Sequence, residues 1–263
     1  MNVEEICTEV CGITRECGSY ILAELKNIHS ESIDLKGFNN FVTFVDTESE
    51  KRLVSDLGKL LPQSGFLTEE GTIVHQEKEY TWIIDPLDGT TNFIHQIPVF
   101  SISIALQKNG TTILGVVYEI NRDECFYAFG GGGAFLNGSK IKVSDSSRMQ
   151  DSIIATGFPY ADYQFLEPYM NVFRYVVQNT HGLRRMGSAA VDLSYTACGR
   201  FDAFFEYSLN PWDVAAGAYI LQQAGGSVSD FGGGENWLHG REILATNGKV
   251  HKEFLEVIRE SFR

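Results

Sequence analysis

The chain has 263 residues, 43% of them apolar and 21% charged, with a net charge of −13. At about 150 residues per domain this is one large domain or two fused lobes, and the composition excludes a disordered or fibrous chain. The negative charge excludes the basic footprint of a nucleic-acid binder and repels anionic substrates at long range, so a phosphate ester would need cations beside it.

Met1 to Glu16 lacks a basic segment followed by an unbroken apolar stretch, so no secretory leader is expected. No run of about 18 apolar residues predicts a membrane span. The five cysteines (Cys7, Cys11, Cys17, Cys125, Cys198) are odd in number and lack CxxC spacing. They read as reduced thiols of a cytoplasmic protein. Cys7 and Cys11 read as small core residues on one helix face, a metal or redox role being the alternative. Asn109-Gly-Thr and Asn137-Gly-Ser read as turns.

Val3, Cys7, Val10, Cys17 and Ile21 recur at helical spacings and predict an amphipathic first helix. A turn at 37–40 and a strand over 41–45 follow. Thr47 with Glu50 predicts a capping box opening a helix to Leu61, with Pro62 ending it. Tyr80 to Ile84 is a buried-strand run stopped by Asp85-Pro86. Strands over 100–107, 112–119 and 124–129 predict an antiparallel meander. Gly130 to Gly133 reads as a strand connection, since no Gly-Lys-Ser/Thr follows to make a phosphate loop. Beyond about residue 145 strands (152–156, 203–206, 242–245) alternate with helices (167–178, 189–198, 214–224, 252–262), and 182–185 leads toward the second of these. This predicts a helix-plus-antiparallel-sheet lobe over 1–145, carrying the main metal site, packed tightly on an α/β lobe over 146–263 as one functional unit.

The informative residues are carboxylates. Asp85-Pro86-Leu87-Asp88-Gly89-Thr90-Thr91 directly follows the buried Trp82-Ile83-Ile84. Pro86 and Gly89 force a sharp turn, so both acids project from the end of a rigid element. Carboxylate and carbonyl oxygens suit Mg²⁺, and N–H groups of a helix starting at Thr90 suit an anion. A third acid, Asp213, stands at another helix start in Asn210-Pro211-Trp212-Asp213, where a plain helix cap is the alternative. A cation site beside an oxyanion site is what phosphoryl transfer to water requires.

Trp82-Ile83-Ile84-Asp85-Pro86-Leu87-Asp88-Gly89-Thr90-Thr91-Asn92-Phe93, together with Pro211-Trp212-Asp213-Val214-Ala215-Ala216-Gly217, resembles the inositol monophosphatase family. The likeness covers nearly the whole chain, with Phe41-Val42-Thr43 before Asp46, Phe66-Leu67-Thr68-Glu69-Glu70, Gly157-Phe158-Pro159 and Gly187-Ser188-Ala189-Ala190 in order. The resemblance implies a layered αβαβα sandwich of the sugar-phosphatase type and a homodimer. It implies hydrolysis of myo-inositol 1-phosphate to inositol and phosphate, two to three Mg²⁺ per site, and inhibition by lithium. Glu69, Asp85 and the Leu87 carbonyl would hold a first Mg²⁺, and Asp85, Asp88 and Asp213 a second. Glu69 and water would hold a looser third. Gly89 and Thr90 would hold the phosphate through backbone N–H groups. Asp46 and Thr90, with Glu69, would act on the attacking water. Asp88, Gly187, Ser188, Ala189 and Glu206 would face the alcohol. Three Mg²⁺ would balance the four acids and a doubly charged phosphate, removing the repulsion expected from the net charge.

The family's usual Gly-Glu-Glu-Ser is here Thr68-Glu69-Glu70-Gly71, and Ser188 replaces a frequent Thr. Arg184 and Arg185 flank the substrate segment and read as a solvated pair, with a substrate or dimer contact as the alternative. His95 reads as a helix-face or packing residue, with a catalytic role as the alternative. Thr91-Asn92-Phe93 favours the inositol group, which also includes members acting on fructose bisphosphate. Adenosine-bisphosphate phosphatases carry Lys after Asp-Gly-Thr. The expected partner is a small phosphorylated polyol, with no nucleic acid and no membrane. A metal-dependent regulator without catalysis is the reading from another class.

Overall fold

The computed structural model describes residues 2–25, 33–37, 40–76, 78–159 and 162–262, with the side chains of 33–43 outside that description. Asn2 caps α1 (Val3–Glu24), its side chain accepting from the Glu4 N–H at 3.2 Å. Ile6, Cys7, Val10, Cys11, Cys17 and Ile21 of α1 are buried, as the periodicity requires. An antiparallel pair, β1 (Ile33–Gly37) and β2 (Asn40–Thr43), leads into α2 (Phe44–Leu60), which buries Val45, Leu53 and Leu57.

A seven-stranded sheet follows, its strands neighbouring in chain order. They are β3 (Gly65–Thr68), β4 (Tyr80–Asp88), β5 (Ser101–Lys108), β6 (Thr111–Glu119), β7 (Glu124–Phe129), β8 (Gly133–Leu136) and β9 (Ser139–Ile141). β3 runs parallel to β4, and β4 to β9 form the antiparallel meander. The short α3 (Thr90–Ile94) sits between β4 and β5.

The second sheet has five strands in the order β11 (Gly182–Arg184), β10 (Ile153–Thr156), β12 (Ala203–Tyr207), β14 (Glu242–Thr246), β13 (Ser227–Ser229). α5 (Ala189–Ala197) and α6 (Pro211–Gln223) lie between the two sheets. Every residue of α5, and Val214 to Leu221 of α6, is buried. Helices that are apolar all round belong in an interior layer. α4 (Leu166–Asn179) and α7 (His251–Ser261) cover the far face of the second sheet, and α1 and α2 the far face of the first. The architecture is therefore the αβαβα sandwich, with one apolar core under each helical layer.

Several local expectations change. α2 begins at Phe44, so the strand expected over 41–45 is β2, ending at Thr43, and Asp46 lies in the first helical turn rather than at a strand end. Thr47 and Glu50 form no capping box, because the Glu50 carboxylate is taken by Thr68, Glu70 and Thr72. Pro86 does not stop β4. β3 ends opposite Ile84, and β4 continues along β5 through a bulge between Asp85 and Asp88 that absorbs the missing N–H. Residues 182–184 form the edge strand β11. β3, β8, β9 and β13 lack the alternation or length that periodicity detects. The turn expected at 37–40 falls partly outside the described residues.

Candidate metal and phosphate site

The bulge places Asp85, Leu87 and Asp88 at the C-terminal end of β4. Asp85 is buried, and its Oδ1 accepts from the Leu87 N–H at 2.9 Å, which ties the carboxylate to its own turn. Gly89 then takes a left-handed conformation (φ 101°) and opens α3. A side chain there would meet the carbonyls of Gly187 and Val99 at 3.2 Å. Asn92 pins α3 by donating to the carbonyls of Val99 (2.7 Å) and Met186 (2.8 Å).

A cleft of about 220 Å³ gathers the candidates from distant parts of the chain. Glu69, Asp85, Leu87, Asp88, Gly89, Thr90, Gly187, Ser188, Ala189, Glu206 and Asp213 all line it. Asp46 stands behind Thr90, whose Oγ1 lies 2.9 Å from Asp46 Oδ1 and 3.0 Å from the Leu87 carbonyl. One hydroxyl proton has two acceptors there. Directed at Asp46, it leaves the Leu87 carbonyl available to a ligand and the hydroxyl oxygen as an acceptor.

Ser188 is almost fully buried and caps α5, accepting from the Val191 N–H. Its hydroxyl donates to Asp88 Oδ2 at 2.6 Å, and the Ala190 N–H donates to the same oxygen at 2.7 Å. Asp213 Oδ2 accepts from the Asn210 N–H at 2.7 Å, in the capping box that starts α6. The helix-cap alternative for Asp213 thus holds together with its place in the cleft. A Cβ on Gly157 would fall 2.1 Å from the Glu206 carboxylate, so only glycine leaves room for Glu206.

The electrostatics are those of crowded acids. Burial, then Glu69, Asp88 and Asp213, push the Asp85 carboxyl well up. Burial and Asp88 do the same to Asp213. Asp88 is pushed up to about 6 by burial, held there against a larger rise by the Ser188 and Ala190 hydrogen bonds. Burial takes Glu206 up to about 8, with Arg185 opposing and Asp88 adding.

This all-oxygen donor set fits Mg²⁺, and the mutual repulsion is what a divalent cation would relieve. Among the described residues no three acidic, His or Cys side chains already stand as a finished ligand group. One oxygen each of Asp88 and Asp213 is occupied by protein donors.

Asp192 and Arg241 also line the cleft and carried no sequence signal. Asp192 is buried within the apolar run of α5 and Arg241 lies in a loop, so neither falls in a motif. Arg185 is exposed and also lines the cleft, its guanidinium 5.9 Å from the Phe158 ring. Arg184 is exposed on β11 and does not line the cleft.

The fold and this constellation define a class, and comparison agrees with it. The model of the Inositol monophosphatase family matches residues 2–263, and the chain belongs to that family. Nus factor SuhB of Pseudomonas aeruginosa is 42% identical over 250 residues, spanning 93% of this chain and 92% of that protein. Among solved structures, extragenic suppressor protein suhB from Bartonella henselae superposes with a TM-score of 0.91 at 36% identity, covering 97% of this chain and 99% of that one. Inositol monophosphatase from Anabaena superposes with a TM-score of 0.87 at 35% identity, covering 99% and 97%. Among the described residues no helix is long and apolar enough to cross a membrane.

Proposed function

We propose that the protein is a Mg²⁺-dependent phosphomonoesterase acting on inositol monophosphate, with myo-inositol 1-phosphate as the type substrate. The observation that carries this reading is the single cleft where Asp85, Asp88, Asp213 and Glu69 face the Asp46–Thr90 hydrogen bond. Glu69, Asp85, the Leu87 carbonyl, Asp88 and Asp213 would hold two to three Mg²⁺, which supply positive charge to the phosphate and acidify water. The chain's own residues do the positioning. Asp46 accepts a hydrogen bond from the Thr90 hydroxyl and so directs the Thr90 oxygen to accept a hydrogen bond from the attacking water. Backbone N–H groups of Gly89 and Thr90 hold phosphate oxygens. Ser188 and the Ala190 N–H fix the rotamer of Asp88. Glu206, with Gly187 and Ala189, faces the alcohol and accepts from its hydroxyls.

The exposed apolar stripe of α4 (Leu166, Met170, Val177) supports a homodimer, and light scattering on the purified protein tests it. A second functional reading follows from the name of the Pseudomonas relative: a partner of the transcription machinery. The charge of −13 favours such a contact with protein over one with bare nucleic acid. Phosphate release from myo-inositol 1-phosphate, fructose 1,6-bisphosphate and an adenosine bisphosphate, with Mg²⁺ and with chelator, decides the primary reading. Rapid Mg²⁺-dependent release from the inositol ester is expected. No release from any of the three would leave the regulatory reading.

A further inference from the structure

Glu50 is fully buried on α2, one helical turn after Asp46 and on the same face. Its carboxylate accepts four hydrogen bonds from one short segment. Oε1 accepts from Thr68 Oγ1 (2.9 Å), the Thr72 N–H (2.7 Å) and Thr72 Oγ1 (2.7 Å); Oε2 accepts from the Glu70 N–H (2.7 Å). All four partners donate, so the site suits a carboxylate's accepting oxygens, whereas an amide there would set its NH₂ against a donor. The contacts bracket Glu69 on both sides. Glu69 itself is tied to the sheet by its N–H, which donates to the Ile84 carbonyl at 3.2 Å, next to Asp85. Residues 71–76 beyond are exposed, with little burial of their own to fix them.

We infer that Glu50 is a positioning residue for the cation end of the cleft: its buried carboxylate clamps residues 68–72 and thereby sets where Glu69 stands against Asp85. This deepens the proposed function and rests on it. Through α2 the same rigid helix holds the two halves of the site, Asp46 against Thr90 and Glu50 against the Glu69 segment. Isolated chain ends of β3 would not do so, since β3 is only four residues long.

The test is calorimetric titration of Mg²⁺ into the intact protein, with amide exchange at Glu70 and Thr72 as a second readout. In Glu50→Gln an NH₂ group meets a donor, and Mg²⁺ binding is expected to weaken about 10–100-fold, as for other groups that orient a metal ligand. Thr72→Val removes one clamp contact without touching α2. It is expected to weaken binding in the same direction and to speed exchange at Glu70 and Thr72, and it keeps the test open should Glu50→Gln not fold. Adding Thr72→Val to Glu50→Gln should cost little more than Glu50→Gln alone. Unchanged Mg²⁺ affinity in a folded variant whose melting temperature has merely dropped would overturn the inference and make Glu50 a stabilising residue only. A parent protein that binds no Mg²⁺ would instead overturn the proposed function, and the inference with it.

Discussion

Ser188 Oγ lies 2.6 Å from Asp88 Oδ2, across 100 residues of chain. The contact joins the α5 cap, on the second half of the chain, to the bulged end of β4 on the first. The same hydroxyl accepts from the Val191 N–H at 3.3 Å, and Ser101 Oγ lies 3.2 Å away. With its hydroxyl donating to Asp88, Ser188 is left to accept a hydrogen bond from Ser101, and the three residues form one directed chain of hydrogen bonds. Ser188→Ala removes a helix cap and a charged acceptor's partner together. A loss of about 1–3 kcal/mol in urea unfolding is expected, with Ser188→Thr close to the parent. A loss below about 0.5 kcal/mol would mean that water replaces the hydroxyl.

Asp85 is the acid most crowded by others. Asp85→Asn should remove that repulsion, so the variant should unfold at the same temperature as the parent or higher in chelator. The parent should gain about 2.7 kcal/mol at 100 times its Mg²⁺ dissociation constant, and Asp85→Asn should gain nothing. Thermal unfolding with and without Mg²⁺ reads both effects. Equal Mg²⁺ gains in the two proteins would remove Asp85 from the ligand set.

The Asp46–Thr90 pair should behave as a unit. Asp46→Asn and Thr90→Ala are each expected to lower kcat about 10²–10⁴-fold per folded molecule, and the double variant to be hardly worse than either. Additive losses in kcat, or losses in stability alone, would make Thr90 a helix-start residue and Asp46 a structural one.

Glu206 supplies a pH signature. Its carboxyl is raised from 4.5 to about 8, mainly by burial. Between those values the folded protein holds a proton that the unfolded chain has released, so stability must fall as pH rises through that window. Without Mg²⁺, the parent should lose at least about 1 kcal/mol between pH 5 and pH 8 relative to Glu206→Gln, which cannot ionise. Parallel urea midpoints for the two proteins would contradict this. With Mg²⁺, Glu206→Gln should raise KM for an inositol phosphate more than for a hydroxyl-poor aryl phosphate.

Arg200 forms a two-pronged pair with Glu124, both N···O distances 2.6 Å, and its guanidinium lies 4.4 Å from the Tyr195 ring centroid. The planar fork serves carboxylate and ring at once, which an ammonium cannot. The pair, with Arg200 first, holds the Glu124 carboxyl below its usual range. Its stabilisation is therefore present above the ordinary carboxylate pKa and lost as pH falls through the lowered one. Arg200→Lys should lower the melting temperature at pH 7, and the gap to the parent should close in acid. A gap independent of pH would assign the loss to packing on Tyr195.

The sequence by itself determined the acidic donor set proposed to hold metal and the layered fold. Asp85-Pro86-Leu87-Asp88-Gly89-Thr90 and Asn210-Pro211-Trp212-Asp213 are contiguous motifs, and residue type and local spacing suffice to read their donors. The long helices and the meander were equally legible, because period-3.6 and period-2 burial are written along the chain. Tertiary structure alone decided where Asp46 sits, since the boundary between β2 and α2 depends on packing rather than on Thr47 and Glu50. It alone showed that Pro86 lies within a bulged strand, because the tolerance for a missing N–H depends on where the neighbouring strand ends. The hydrogen-bond partners of Ser188 and Glu50 and the presence of Asp192 in the cleft were likewise decided in three dimensions. Each is a contact between residues far apart in sequence, and a linear pattern carries no record of which donor will meet which buried carboxylate once the layers close.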